Sequence, residues 1–472
     1  MTDAASSAVI EEITPPDVEQ VFGRLSQQPH CLFLDSALRH ETLGRYSFLA
    51  ADPFKLLSLT TDHADPLREL DALLAPLATD TLPDLPPFQG GAAGLLSYDL
   101  GRSLERVPLP RHDEFALPAL TIGLYDVVLA IDHQDDRAWI ISQGFPETEL
   151  SRRRQRAEQR AEWMRRIVCE SDAADHARVS PPGTIVGASA LAPQHPLSGW
   201  DDLTSNFSRE GYLQAVQQAI DYIYAGDVFQ VNMSQRLLHP ARDNSPALYR
   251  RLRQRNPATF AGYFDLGQQQ IVSASPERFV RINHRHVEAR PIKGTRQRLD
   301  QPEADLFAGD DLQQSEKDRA ENVMIVDLLR NDLSRVCKPE SVNVPQLCGL
   351  EVYEYVQHLV SSVEGELRDD VSAVDVLRAA FPGGSITGAP KVRAMEIIAE
   401  LEPTARGAYC GSLGYHGFDD TLDTSILIRT ITAGGGWWQL PVGGGIVAQS
   451  SPEDEYQETW HKAEGMLRAL RP

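Results

Sequence analysis

The stretch REGYLQAVQQAIDYIYAGDVFQVNMS (209–234) combines a helix, a stop signal and a strand in direct succession. Its apolar residues recur at intervals of three and four positions, which predicts a helix over residues 209–225. Gly226 ends that pattern, because glycine favours the conformation that commonly closes a helix. The apolar run that follows predicts a strand over residues 228–234, joined to the helix by a very short connection.

The same mixture of helices and strands extends in both directions from this stretch. Further helices are predicted over residues 147–169, 315–333 and 392–401, and further strands over residues 31–34, 92–96, 127–131, 412–417 and 425–432. These elements do not alternate in a regular βαβ rhythm, as a doubly wound parallel sheet would require. The pattern therefore predicts an α+β fold with layered sheets and helices.

One segment differs in composition from the rest of the chain. Residues 171–200 are rich in Ala, Ser, Pro and Gly, which disfavours both helix and strand. We therefore predict an N-terminal region over residues 1–172, a linker over residues 173–203 and a C-terminal region over residues 204–472.

Composition limits the classes of function. The 472 residues include 45 Lys plus Arg and 67 Asp plus Glu, and the net charge of -22 argues against a nucleic-acid-binding surface. No run approaches the ~18 apolar residues of a membrane span, and residues 1–14 lack the pattern of a secretory signal. The five cysteines contain no CxxC pair, so neither a zinc site nor a disulfide framework is indicated, and a cytoplasmic location is expected.

The run RPIKGT (290–295) places Lys293 at a predicted Gly-Thr turn, directly after a strand-like stretch over residues 286–289. A primary amine held on a short turn serves as a nucleophile once it has lost its proton. A lysine in a turn is more commonly an exposed surface residue. The local sequence leaves both interpretations open.

The last helix has a well-defined predicted start, with Ser451 as its N-cap and Pro452 as its first residue. Glu455, Glu458 and Lys462 follow at spacings that place two carboxylates and an ammonium group on one helix face. The simpler interpretation is a surface ion pair between Glu458 and Lys462.

A second acidic position lies on a separate predicted helix. Glu321 follows Ala320 at the start of AENVMIVDLLRNDL (320–333). Two carboxylates from separate helices, completed by water and ligand oxygens, suit Mg²⁺. Spacing along the chain does not establish that Glu321 and Glu458 meet.

Several other residues have suitable chemistry but weak local signals. The run FPGGSITGAPK (381–391) precedes a helix and exposes backbone N–H groups that suit an anion. Glu277 is a candidate general acid, His358 a candidate proton carrier and Arg429 a candidate carboxylate clamp. Each of these side chains taken alone is more commonly structural.

Taken together, these runs resemble the chorismate-utilising enzymes over almost all of residues 209–470. The matching motifs are GDVFQVNMSQR (226–236), SPERF (275–279), AENVMIVDLLRNDL (320–333), FPGGSITGAPK (381–391), YCGSLGY (409–415), IRT (428–430) and EYQET (455–459). The resemblance implies the fold of anthranilate synthase component I and its relatives, a layered α/β sandwich of mostly antiparallel sheets flanked by helices. It also implies an enzyme that acts on chorismate.

The resemblance assigns roles to individual residues. Glu321 and Glu458, with Glu455 close by, match ligands of a Mg²⁺ ion that holds the carboxylate on the substrate ring. The residues expected to be catalytic are Lys293, Glu277 and His358. Those expected to bind substrate are Tyr409, Arg429, Ser385, Thr295, Gly443, Gly444, Gly445 and Lys462.

Two positions discriminate among the reactions of the family. Branches that add water carry a lysine where this chain has Gln230, which disfavours water as the nucleophile. The anthranilate branch reads PIAGT where this chain reads PIKGT, and Lys293 marks the branch that aminates C4 on the route to p-aminobenzoate and folate. The alternatives are amination by the anthranilate branch and a non-catalytic, tryptophan-binding partner of a glutaminase.

The resemblance also implies partners. Amination requires ammonia, and none of the five cysteines lies in the GxCxG motif of class I glutaminases, so a separate glutamine amidotransferase subunit is expected. Near the N-terminus, LDS (34–36) and GRYS (44–47) are similar to segments that form a tryptophan pocket in relatives. The predicted pocket residues are Ser36, Tyr46 and Ser47.

Overall fold

The structure is a computed structural model that describes residues 7–39, 43–169, 185–298, 301–353 and 356–471. Of Thr295, Gln297 and residues 302–304 it describes the backbone only. The helices are Val18–Leu25 (α1), Pro66–Leu74 (α2), Gly101–Leu104 (α3), Leu150–Cys169 (α4), Arg209–Tyr224 (α5), Ser245–Arg255 (α6), Pro302–Gln314 (α7), Glu316–Ser334 (α8), Ala373–Ala380 (α9), Lys391–Leu401 (α10) and Pro452–Leu470 (α11).

The strands are, from β1 to β23 in chain order, Val9–Ile13, Leu32–Asp35, Tyr46–Ala50, Lys55–Leu59, Gly91–Leu96, Leu120–Tyr125, Val127–Asp132, Arg137–Ser142, His195–Pro196, Thr204–Ser205, Gln230–Pro240, Phe260–Asp265, Gln269–Ser275, Arg278–Asn283, His286–Ala289, Ile292–Gln297, Asn343–Val352, Val356–Glu366, Gly388–Ala389, Ser412–Gly417, Leu422–Ile426, Thr430–Gly434 and Trp437–Ile446.

Local signals set the ends of the predicted helices. The N-cap Ser208 accepts a hydrogen bond from the backbone N–H of Gly211 at the start of α5. At α11, Ser451 accepts one from the N–H of Asp454, and Pro452 is the first helical residue. Side-chain caps satisfy N–H groups that have no partner within the helix. Both helices begin where the sequence predicts.

Two strands differ from the prediction because long-range pairing sets their limits. β11 continues to Pro240, since its residues pair antiparallel with β23 along their length. The single strand predicted over residues 425–432 is two strands, β21 and β22, which lie in different sheets. Arg429 lies between them with a φ of 53°, a backbone conformation that breaks a strand.

Within the described residues the strands form two sheets whose named strand pairs are antiparallel. The first contains 13 strands in the order β1-β8-β7-β3-β2-β12-β13-β22-β23-β11-β10-β9, with β19 paired to β11. The second contains 10 strands in the order β16-β18-β15-β14-β21-β20-β5-β6-β4, with β17 paired to β18.

The two sheets pack face to face. Phe48 and Phe264 of the first sheet share a buried cluster with Leu413 and Tyr415 of the second, and the Phe48 and Tyr415 ring centroids lie 5.7 Å apart. Helices α1, α4, α6 and α11 cover the outer face of the first sheet, and α2, α8 and α9 cover the second. The predicted α+β sandwich of antiparallel sheets flanked by helices is therefore confirmed.

Both sheets draw strands from the two predicted regions. In the first sheet β2 pairs with β12, and in the second β5 pairs with β20. The division into residues 1–172 and 204–472 stays a prediction, and residues 170–184, which include much of the predicted linker, lie outside the described residues. In the described part of the chain, no helix has the length and apolar character needed to cross a membrane.

Candidate active site

A chain of contacts joins the three segments that sequence motifs single out. Lys293 Nζ donates to the backbone carbonyl of Ser385 at 3.2 Å. Ser385 Oγ donates to Glu277 Oε1 at 3.0 Å. Residues separated by about a hundred positions thus place an amine, a hydroxyl and a carboxyl group side by side.

Lys293 lies in an edge strand and not in the predicted turn. β16 pairs with β18, and its register shifts by one residue between Lys293 and Thr295. Gly294 accommodates this bulge with a φ of 77°, which an L side chain rarely adopts. A β-bulge redirects the side chains beside it, so the irregularity accounts for the position of the Lys293 amine.

The environment of Glu277 suits a proton donor. Its carboxyl group is buried at 5% exposure. Burial raises the pKa of Glu277 to about 7, although the Lys293 ammonium, the Ser385 hydroxyl and the Ile292 N–H each lower it. A carboxyl group with such a pKa is still substantially protonated at neutral pH and can act as a general acid.

A buried arginine holds the loop that carries Ser385. Arg406 donates to the carbonyl oxygens of Ile386 and Asn232 at 3.0 and 2.9 Å. It also forms an ion pair with Glu402 at 2.7 Å, and both side chains are almost completely buried. Arg406 therefore ties the Ser385 loop to β11, and no local sequence signal had pointed to it.

A second group of charges forms where α11 passes β23. Lys462 Nζ lies 2.5 Å from Glu458 Oε1 and donates to the Gly443 carbonyl at 2.9 Å. A Cβ atom placed on Gly444 would lie 3.0 Å from Glu455 Oε2, 3.3 Å from Glu458 Oε1 and 3.5 Å from Lys462 Nζ. Both carboxylates therefore converge on a space that the absence of a side chain at Gly444 leaves open.

Glu321 of α8 belongs to the same charge cluster. Burial raises its pKa, the Lys293 and Lys317 ammonium groups lower it, and the carboxylates of Asp318 and Glu458 raise it. Burial likewise raises the pKa of Glu455, with Glu458 adding to the rise. For Glu458, burial raises the pKa, but the charge and hydrogen bond of Lys462 lower it, and the net pKa is lowered. Glu321 and Glu458 thus influence one another across two helices.

These carboxylates have the chemistry of a Mg²⁺ site that relies on ligands from elsewhere. Within the described ranges, no three Asp, Glu, His or Cys side chains are placed to hold a metal ion by themselves. Mg²⁺ commonly keeps several waters and takes only one or two protein carboxylates together with substrate oxygens. The convergence of Glu455 and Glu458 at Gly444 fits that mode of binding.

Cationic and hydroxyl groups lie on the other side of the cluster. Arg429 donates to the Lys462 carbonyl at 3.2 Å, and burial lowers its pKa while Tyr409 and Glu458 raise it. Burial raises the pKa of Tyr409 well above its usual value, so its hydroxyl stays protonated. Arg429 and Tyr409 together can bind a carboxylate.

His358 lies opposite the bulge that carries Lys293. Burial lowers its pKa to about 4, and Arg429 contributes to the decrease, whereas the Gly294 backbone opposes it. Its imidazole is therefore neutral near pH 7. Arg429 acts electrostatically on His358, and the role of His358 in proton transfer stays a prediction. The side chain of Thr295 lies outside the described residues.

Gln230 has a buried side-chain amide in an unusual environment. Its side chain is 0% exposed, yet neither amide atom has a hydrogen-bond partner among the described residues. A Cβ atom on Gly445 would lie 2.2 Å from Gln230 Nε2, so the amide lies against the glycine run of β23. Buried polar groups without partners are rare and commonly face a bound ligand or water.

A separate cavity of about 560 Å³ lies between the two sheets. Ser36 and Tyr46 line it, and Ser36 Oγ donates to the Tyr46 carbonyl at 2.5 Å. Ser47 is fully buried behind this wall, where its Oγ accepts from the Ser36 N–H at 3.1 Å. The volume is in the range of pockets that bind small molecules.

The cavity and the candidate active site are lined by neighbouring residues at the start of β14. Arg278 lines the cavity and pairs with Asp423 at 2.9 Å, whereas the preceding residue, Glu277, contacts Ser385. Successive residues of a strand point in opposite directions. The backbone at the start of β14 therefore lies between the two sites.

Comparison with known proteins gives consistent matches over nearly the whole chain. The family described as chorismate binding enzyme matches residues 29–468. Aminodeoxychorismate synthase component 1 of Salmonella typhimurium is 40% identical over 97% of this chain and 96% of its own length. Anthranilate synthase component 1 of Thermus thermophilus is 42% identical over 86% of this chain and 82% of its own. The crystal structure of anthranilate synthase component I from Streptococcus pneumoniae superposes with a TM-score of 0.74 at 30% identity, covering 89% of this chain and 92% of that one.

Proposed function

This chain belongs to the chorismate-binding enzymes, and on that premise we propose that it aminates chorismate at C4 to give 4-amino-4-deoxychorismate. This product is the precursor of p-aminobenzoate, and hence of folate. The single observation that carries the proposal is the contact chain from Lys293 through Ser385 to Glu277.

Overall similarity alone does not choose the position of amination. The relatives named aminodeoxychorismate synthase and those named anthranilate synthase share 40% and 42% of their aligned residues with this chain. Lys293 makes the distinction, because its amine reaches the same loop as the acid Glu277. An alanine there, as in PIAGT, would offer no nucleophile. Gln230 lies where the water-adding branches place a lysine, which supports ammonia as the final nucleophile.

The proposed reaction has two displacements. Lys293 Nζ, having lost its proton, bonds to C2 of chorismate while the ring double bonds shift and the C4 hydroxyl leaves as water with the proton of Glu277. Ammonia then bonds to C4, the double bonds shift back and Lys293 departs as a neutral amine. The new ammonium group returns a proton to Glu277, which restores both side chains.

Binding of the substrate is assigned to groups of opposite charge. Arg429, Tyr409 and the glycine run of β23 are proposed to hold the enolpyruvyl carboxylate, with Lys462 as a further cation. Ser385 contacts both catalytic side chains and is proposed to orient the leaving hydroxyl. His358 is proposed to act as a neutral proton carrier, and Thr295 to contact the substrate. A dianion can therefore bind to a protein of net charge -22 because cations are concentrated locally.

We assign Mg²⁺ as the cofactor and Glu321, Glu455 and Glu458 as the residues that would hold it. When bound, it neutralises and orients the carboxylate on the substrate ring. The open space at Gly444 between Glu455 and Glu458 supports this assignment. Water and substrate oxygens would supply its other ligands.

Ammonia is proposed to come from a glutamine amidotransferase subunit. The printed name of the relatives, component 1, is consistent with a second component. Cys410 does not suit the role of a glutaminase nucleophile, because it is buried and burial raises its pKa to about 12, which disfavours the thiolate. All five cysteines are free thiols, which supports a reducing cytoplasm as the compartment.

Turnover by the purified chain separates the proposal from its two rivals. With chorismate, Mg²⁺ and an ammonium salt we expect a product that aminodeoxychorismate lyase converts to p-aminobenzoate. Glutamine in place of ammonium is expected to give no product until a glutaminase subunit is added. Anthranilate fluorescence would instead identify the anthranilate branch, and absence of turnover with ammonium would indicate a non-catalytic regulatory partner.

The cavity between the sheets is proposed to bind tryptophan through Ser36 and Tyr46, with Ser47 supporting its wall. L-Tryptophan at a hundred times its Kd is expected to raise the free energy of unfolding by about 2.7 kcal/mol, because a ligand that binds only the folded state stabilises it. The measurement is thermal unfolding with and without L-tryptophan, with L-leucine as the control. Tyr46→Ala is expected to abolish the increase, and an equal increase with L-leucine would contradict the assignment.

A further inference from the structure

This chain uses lysine very sparingly. Its 45 lysines and arginines include only six lysines, which are Lys55, Lys293, Lys317, Lys338, Lys391 and Lys462. Lysine and arginine differ in function. Arginine forms rigid, bidentate contacts with carboxylates, whereas lysine carries a compact charge at the end of a flexible side chain. Positions that carry lysine in an arginine-rich chain therefore indicate where flexibility is useful.

Three of these lysines, Lys293, Lys317 and Lys462, influence Glu458. Lys293 and Lys462 have roles in the proposed reaction, and each also makes a close polar contact with backbone. Lys317 has no part in that reaction. Its ammonium group nevertheless forms an ion-pair contact with Glu455, one of the proposed metal ligands, and its charge also acts on Glu321 and Glu458.

Lys317 occupies a position that the helix itself disfavours. It is the second residue of α8, and the N-cap Ser315 accepts from the N–H of Asp318 next to it. The positive end of the helix dipole disfavours a cation in the first turn. Local stability therefore does not explain a lysine at this position, whereas the facing carboxylates do.

The contact that Lys317 makes is loose. Its Nζ lies 3.7 Å from Glu455 Oε1, and its side chain is 48% exposed while that of Glu455 is 4% exposed. Glu455 Oε1 is meanwhile held by the Ser450 hydroxyl at 2.6 Å. The carboxylate is therefore fixed and buried, whereas the ammonium group reaches it from solvent and can withdraw without disturbing a packed side chain.

Resting on the metal site of the proposed function, we propose that Lys317 is a displaceable counter-ion that competes with the divalent cation for Glu455 and its neighbours. In the metal-free protein it offsets the repulsion among the three carboxylates. When Mg²⁺ binds, the Lys317 side chain turns towards solvent. Its charge thereby sets the affinity of the site and keeps it from binding metal too tightly.

Mg²⁺ affinity of the purified chain, measured by calorimetric titration without chorismate, tests this proposal. Lys317→Gln is expected to tighten Mg²⁺ binding by about 1.4- to fivefold, since an exposed ion pair contributes ~0.2–1 kcal/mol and 1.4 kcal/mol corresponds to tenfold. Lys317→Arg is expected to weaken Mg²⁺ binding, because a guanidinium group can donate two hydrogen bonds to the Glu455 carboxylate. Lys338→Gln, which removes a surface lysine paired with Glu366, is the matched control and is expected to leave affinity unchanged.

The increase in unfolding temperature on adding Mg²⁺ supplies a second readout, which loss of a purely structural lysine would not change. Without metal, Lys317→Gln is expected to unfold at a slightly lower temperature than wild type. On addition of saturating Mg²⁺, its unfolding temperature is expected to rise by more than that of wild type. Unchanged or weaker Mg²⁺ affinity in Lys317→Gln overturns the proposal, and so does tighter affinity in Lys317→Arg. Absence of Mg²⁺ binding in every variant overturns it together with the metal site, whereas C4 amination is judged separately by the product assay.

Discussion

Replacing Lys293 with alanine is expected to lower kcat for C4 amination by on the order of 10³-fold or more. The variant loses the amine that bonds to C2, whereas the proposed carboxylate contacts and metal ligands are untouched. Chorismate binding should therefore change by less than about threefold. Steady-state kinetics with an ammonium salt, together with equilibrium binding of chorismate, measure the two effects separately.

Lys338→Ala is the matched control, because the ion pairs that Lys338 forms with Glu366 and Asp369 in the described part of the chain lie at the surface. Its activity should equal that of wild type. The covalent step has its own test: wild-type protein mixed with chorismate and no ammonia should gain the mass of chorismate less one water, attached at Lys293. Full activity in Lys293→Ala would eliminate this lysine from the reaction.

Replacing Glu277 with glutamine is expected to lower kcat by about 10²–10⁴-fold, the usual contribution of a general acid. The amide oxygen can still accept the hydrogen bond that Ser385 Oγ now donates to the carboxyl group. The site therefore keeps its arrangement while losing the transferable proton. Initial rates under saturating chorismate, Mg²⁺ and ammonium measure the loss, and Glu464→Gln, a surface change in α11, is the control.

The pH dependence identifies Glu277 more specifically than the rate alone. Burial raises its pKa to about 7, and the protonated form is the one that donates to the departing hydroxyl. Activity of the wild type should therefore fall as pH rises through about 7, and this decrease should be absent from the residual activity of Glu277→Gln. A variant that keeps the same alkaline decrease would assign that titration to another group. Ammonium should be varied at each pH, since the supply of free ammonia rises with pH.

The starts of helices follow from local signals, whereas the assignment of strands to sheets depends on long-range contacts. Ser208 and Ser451 each cap a helix through residues three positions away, so the starts of α5 and α11 follow from the sequence. The division of residues 425–432 between two sheets did not follow from it, because a local apolar pattern does not specify which distant strand each residue pairs with. Pairing with distant strands decides the outcome.

The candidate site shows the same limit. The sequence motifs identified Glu277, Lys293, Glu321 and Glu458 only through resemblance to relatives, since each alone has a commoner structural explanation. The scarcity of lysine could have drawn attention to Lys317, whereas the buried Arg406 carries no such signal. Its contacts with Ile386 and Asn232 exist only in the folded chain.

The sequence by itself predicted five of the helices and several strands of this protein. It also favoured the α+β class, argued against a nucleic-acid surface through its net charge, and placed an amine where relatives of the anthranilate branch have alanine. Only the tertiary structure decided that the Lys293 amine meets the Ser385 loop and that Glu277 is buried enough to hold its proton near neutral pH. It also decided that carboxylates from α8 and α11 interact electrostatically. Propensity and capping act over a few residues, whereas burial and electrostatic coupling depend on which distant segments the two sheets bring together.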